Sequence, residues 1–129
     1  MQVFSQIRTV KEEDLDELQH MNNVRYVQWI QDIAKSHWEQ NTTAHLRSTY
    51  FWVVRNHTID YKAEAKLSDA IKIETYVSDS KGYMSTRNVK MTNLNSNKVI
   101  LKATTLWVLM NATTRLPEKL TEELINLFD

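Results

Sequence analysis

A chain of 129 residues, 42% hydrophobic and 25% charged, has the size and make-up of one globular domain, 1–129. Its sixteen basic and sixteen acidic side chains cancel, which argues against nucleic acid as a partner, since phosphate binding calls for a basic excess. The absence of cysteine excludes disulfides, thiolate nucleophiles and cysteine metal sites, and a single glycine tells against glycine-rich phosphate loops.

Val3 to Val10 alternates apolar and polar residues and predicts a strand. Lys11 to Asn23 is polar and reads as a loop. From Val24 to about Gln40, the residues Tyr26, Val27, Trp29, Ile30, Ile33, Ala34, His37 and Trp38 recur at helical spacing. So wide an apolar face, on a helix of about four or five turns, predicts burial against a sheet. Asn22 or Asn23 is placed to cap it. Asn41 to Ser48 is polar and loop-like. Strands are then expected over Thr49–Tyr61, Ile71–Val77, Ser85–Leu94 and Val99–Asn111. Turn chemistry separates them at Leu67-Ser-Asp, at Asp79-Ser-Lys-Gly and at Asn93-Leu-Asn-Ser-Asn. Pro117 precedes a short amphipathic helix, Glu118 to Phe128.

Strands joined by short turns imply an α+β fold, an antiparallel sheet of about five strands wrapped around one long helix. Its open edge invites a homodimer or homotetramer. Met1 to Arg8 lacks the pattern of a secretory leader, and no apolar run approaches the roughly 18 residues that span a bilayer. The expectation is a soluble, cytoplasmic protein with no membrane partner.

The chemistry-bearing residues crowd into Asp14-Leu-Asp-Glu-Leu-Gln-His-Met-Asn-Asn-Val-Arg-Tyr26, where the long helix begins. A helix N-terminus with unpaired N–H groups stabilises negative charge, and a carboxylate beside it can attack a carbonyl or activate water. Taken alone, Asp14 and Asp16 serve equally as loop residues that bridge backbone N–H groups. His20 reads as a base, an orienting donor or a histidine tied to the backbone. With His37, His45 and His57 scattered, no metal-ligand spacing is present. Asn22 and Asn23 are caps whose following N–H groups face the helix mouth, and Tyr26 falls on the apolar face. Trp29, Trp38, Trp52 and Trp107 are expected to face the core.

Together these features resemble the hotdog-fold acyl-CoA thioesterases of the 4-hydroxybenzoyl-CoA type. In that family a segment like D-x-D-x-x-G-H-x-N-N-x-x-Y leads into the central helix. The resemblance continues through Trp52 to Tyr61, Leu67-Ser-Asp69, Lys81-Gly-Tyr-Met-Ser85 and Thr114-Arg-Leu-Pro117, and so runs nearly the length of the chain. It implies hydrolysis of an acyl-CoA or acyl carrier protein (acyl-ACP) thioester without a cofactor or metal. Asp16 would be the catalytic carboxylate, as nucleophile or general base, and the backbone N–H at Asn23 the oxyanion donor. His20, Asn22 and Tyr26 would shape the substrate site, and Asp14 would be structural. One position departs from the pattern: Gln19 stands where the family has glycine, at a place where glycine permits positive φ. That departure keeps two alternatives in view, a non-catalytic acyl-thioester-binding protein and a dehydratase or hydratase that uses His20 with Asp16.

Overall fold

Alternation decides the sheet. In the computed structural model, which describes all of residues 1–129, the strand β4 (Met84–Asn93) buries Ser85, Arg87, Val89, Met91 and Asn93. The residues between them face outward, as a period of two requires. The strand β3 (Ala70–Lys81) does the same with Ile71, Ile73 and Thr75. With β1 (Phe4–Thr9), β2 (Tyr50–Tyr61) and β5 (Lys98–Asn111) they form one antiparallel sheet of order β1-β3-β4-β5-β2. Its register sets Thr105 of β5 between Arg87 of β4 and His57 of β2.

The long helix, α1 (Asn23–Asn41), lays Tyr26, Trp29, Ile30, Ile33, Ala34, His37 and Trp38 against this sheet. Trp29, Ile30 and Ile33 are almost wholly buried with Ile71, Ile73, Met91, Ile100 and Leu101. Each such side chain contributes about 1.5–3 kcal/mol relative to exposure. A smaller cluster joins the end of α1 to the C-terminus through Trp38, Leu109, Leu120, Leu124 and Phe128. A five-stranded antiparallel sheet curled about one helix is the hotdog arrangement that the sequence resemblance implied. No helix is long and apolar enough to cross a membrane.

Three boundaries differ from expectation. Part of the segment expected as a loop, Asn41 to Ser48, forms a short helix, α2 (Ala44–Thr49), capped by the Thr43 hydroxyl. None of its residues is buried, so it carries no apolar periodicity. Strand β3 runs on to Lys81, because Asp79, Ser80 and Lys81 pair with Thr86, Ser85 and Met84. The turn is Gly82-Tyr83, with Gly82 at φ +64°. The last helix, α3, is only Glu122–Asn126 and is capped by Thr121. The stretch before it is extended, bonded through Glu118 N–H to Leu109 and through Leu120 N–H to Gly82.

Candidate active site

The loop between β1 and α1 closes on itself before it delivers the helix. Asp16 N–H donates to the His20 carbonyl at 2.8 Å, and Gln19 N–H donates to the Asp16 carbonyl at 3.1 Å. The Asp16 side chain completes the knot: its Oδ1 accepts from Leu18 N–H at 2.9 Å and from His20 N–H at 3.2 Å. Both bonds use the same oxygen. Oδ2 has no partner within the chain and belongs to a half-buried carboxylate in a shallow pocket lined by Leu15, Asp16, Glu17, Leu18 and Asn22.

Asp14 has a different part. It is 5% exposed, its Oδ2 accepts from Lys11 N–H at 2.9 Å, and Arg25 Nε lies 3.5 Å from Oδ1. Its carbonyl accepts from Asn22 N–H at 2.8 Å, so it ties the loop to the start of α1. Asn22 is the cap: its Oδ1 accepts from Val24 N–H at 2.9 Å. Asn23, the first helical residue, is exposed, and its N–H has no acceptor within the chain. A free N–H at the positive end of a helix of nineteen residues is suited to negative charge.

Gln19 adopts φ +64°, the left-handed conformation that glycine takes without strain. The loop therefore keeps this path with a side chain in place, at about 1–2 kcal/mol. The chain does so repeatedly, with Ser68, Asn97 and Arg115 also at positive φ.

The remaining expected site residues lie around this pocket rather than in it. His20 turns its Nδ1 toward Glu64 Oε2 at 3.1 Å. Tyr26 is 3% exposed, and its hydroxyl accepts from Ala65 N–H at 3.1 Å. Burial pushes the phenol up to about 12, so it stays neutral. Since Met21 N–H also donates to the Ala65 carbonyl, Tyr26 anchors the 63–66 segment under the loop.

A second concavity, more enclosed, shares no residue with the Asp16 pocket. This cleft of about 530 Å³ runs along α1 from Gln28 to Glu39, with Trp52, Trp107 and Phe128 among its apolar walls. Trp29 and Trp38 are buried as expected, whereas Trp52 and Trp107 are half-buried in the cleft wall. At its base lies Arg87, 5% exposed. Its Nη1 donates to His37 Nδ1 at 2.9 Å and to Thr75 Oγ1 at 3.1 Å, and its guanidinium carbon lies 5.1 Å from the Phe128 ring centre. His37 has no exposed surface; it is stacked on Phe4, and its Nε2 pairs with Gln2 Oε1. Accepting at Nδ1 and donating at Nε2 fits the neutral ring alone. Burial, reinforced by the Arg87 charge, lowers the imidazole to about 4. Burial also lowers the guanidinium to about 10, which leaves it charged at pH 7. His37 lies on the buried helical face that its spacing predicts, whereas Arg87 is not among the expected site residues. The one signal in the sequence for Arg87 is parity, since it shares an alternation with the buried Val89 and Met91.

The chain matches the family described as acyl-ACP thioesterase N-terminal domain over residues 1–128. A chloroplastic acyl-[acyl-carrier-protein] hydrolase of Cuphea viscosissima is 27% identical over 81 residues, or 60% of this chain and 20% of that protein. The chain thus spans about a fifth of the length of that relative. Among solved structures, YbaW, a probable thioesterase from Escherichia coli, superposes with a TM-score of 0.84 at 23% identity, covering 95% of this chain and 94% of that one. A mutant of 4-hydroxybenzoyl-CoA thioesterase, complexed with 4-hydroxybenzoyl-CoA, covers both chains in full, with a TM-score of 0.90 at 8% identity. These likenesses carry the fold, and the sequence match carries the family. The chain belongs to the acyl-ACP thioesterase N-terminal domain family and has the hotdog fold.

Proposed function

We propose that this protein hydrolyses an acyl thioester of coenzyme A or of acyl carrier protein, with Asp16 as the catalytic carboxylate. One observation carries the reading: a carboxylate oxygen with no partner stands in the short loop that leads into the unpaired helix N-terminal N–H at Asn23. The thioester carbonyl oxygen is set at that N–H, where the helix dipole favours the charge that develops on attack. In one route Asp16 takes a proton from the water that adds to the carbonyl carbon and passes it to the sulfur as the carbon–sulfur bond breaks. In the other Asp16 itself adds, the thiolate leaves from a mixed anhydride, and water then cleaves that anhydride to the free acid, regenerating the carboxylate and supplying the thiol's proton. Membership of the family supports this reading, as does the left-handed Gln19, which keeps the loop closed without its glycine.

Asn22 holds the helix mouth, Asp14 and Tyr26 hold the loop on the core, and His20 borders the entry beside Glu64. The active unit is a homodimer or homotetramer. Strand β2 is a long sheet edge, and Leu18 and Val24, 74% and 72% exposed, flank the pocket as apolar surface for a second subunit to cover. Thiol release from CoA and ACP thioesters of graded acyl length tests the proposal, with equal amounts of acid and thiol expected. Tight binding without turnover on every thioester would favour an acyl-binding protein. Addition of water to an enoyl thioester without thiol release would favour a hydratase.

A further inference from the structure

Arg87 is a buried cation to which the protein offers no carboxylate. The two acidic residues along the cleft are engaged elsewhere: Asp32 with Arg8 and Gln28, each at 2.8 Å, and Glu39 with Lys35 at 4.0 Å. Both hydrogen bonds that Arg87 makes within the chain leave from Nη1 and end on neutral atoms. They fix the orientation of the guanidinium plane. Nη2 and Nε have no partner, yet they are not sealed off, and Arg87 lines the cleft. That unpaired edge is the fork that fits a carboxylate through two parallel hydrogen bonds. A wholly apolar ligand would instead seal a formal charge away from water with nothing to balance it.

We propose that the cleft takes a long-chain acyl group whose far end carries a carboxylate, and that Arg87 recognises that carboxylate. The inference rests on the proposed thioesterase reading, which sets the reacting end of the acyl group at Asn23. From there the cleft begins at Gln28, about 7 Å along the helix, and its α1 wall continues for about 16 Å to Glu39. Arg87 meets α1 at His37, about 21 Å from Asn23 by helix rise, so a short acyl group does not reach it. Trp52, Trp107 and Phe128 offer apolar wall to the chain between the two ends. Neutral His37 and Thr75 hold the guanidinium as acceptors and add no opposing charge, so the full positive charge faces the cleft.

The test measures equilibrium binding of two non-hydrolysable long-chain thioethers of CoA, equal in length, one ending in methyl and the other in carboxylate. Tryptophan fluorescence reports occupancy, because Trp38, Trp52 and Trp107 line the cleft. The carboxylate-ended probe is expected to bind at least about tenfold more tightly. Arg87→Met should abolish that preference, and Arg87→Lys should keep part of it. Equal affinities, preference for the methyl end, failure of both probes to bind, or a preference that survives in folded Arg87→Met would each overturn the proposal. If Arg87→Met does not fold, the wild-type pair decides. Loss of dimer in that variant with no preference in the wild type would assign the guanidinium to a subunit contact instead. Hydrolysis of plain acyl-CoA, measured separately, tells failure of this inference from failure of the thioesterase reading.

Discussion

Acidification should weaken this fold through His37. In the unfolded chain the imidazole accepts a proton near 6.5, whereas in the folded protein burial and the Arg87 charge hold it neutral down to about 4. Protonation would set a second N–H against Arg87 Nη1 in a site with no exposed surface. The stability contributed by the neutral ring is therefore complete above pH 6.5 and is lost as pH falls toward 4. Each unit within that window costs about 1.4 kcal/mol, and the whole window on the order of 3 kcal/mol. His37→Gln retains a polar side chain but cannot titrate. Urea unfolding of both proteins at pH 7 and pH 4.5 cancels the carboxylates they share. The wild type should lose about 2–3 kcal/mol more than the variant on acidification. Equal losses, or an NMR titration in which the His37 ring protonates near 6.5, would show that burial does not hold the ring neutral.

Two further predictions concern the loop. Asp14→Ala removes the acceptor for Lys11 N–H and the partner of Arg25; it should cost about 2 kcal/mol in chemical denaturation while leaving turnover per folded molecule intact. Gln19→Gly exchanges about 1–2 kcal/mol of left-handed strain for a similar entropic cost, so its thermal midpoint should stay near the wild type, whereas β-branched Gln19→Val should lower it clearly.

The parts of this fold that the sequence made legible are those where burial imposes a period. Helix α1 showed itself because Tyr26, Ile30, Ile33, His37 and Trp38 all face the sheet, and Asn22 caps it as its residue type suggests. Helix α2 was hidden because it buries nothing, and its bonds are caps and backbone contacts such as Thr49 Oγ1 to the His45 carbonyl. The end of β3 was misread for a related reason. Ser78, Asp79 and Ser80 are turn formers by type, and only pairing with β4 makes them strand.

The candidate site divides along similar lines. The Asp16 loop was visible as a cluster of polar types at a helix entry. Which oxygen of Asp16 remains free, and which backbone N–H stays unpaired, depend on the loop's internal hydrogen bonds, which no pattern of residues displays. Gln19 illustrates the limit of propensity. The closed loop requires a left-handed residue, and hydrogen bonds on either side hold glutamine there. The cleft with Arg87 at its base arises from residues far apart in the chain, on α1, β2, β4, β5 and the C-terminus, so composition gave no hint of it.

Asp16→Asn removes the unpartnered carboxylate proposed to hydrolyse the thioester and leaves the loop around it in place. The carboxamide oxygen can still accept from Leu18 and His20, so the fold and thermal midpoint should remain as in the wild type. Thiol release from the best acyl-CoA substrate should fall on the order of a hundred- to ten-thousandfold. Wild-type turnover in folded Asp16→Asn would exclude Asp16 as the catalytic carboxylate.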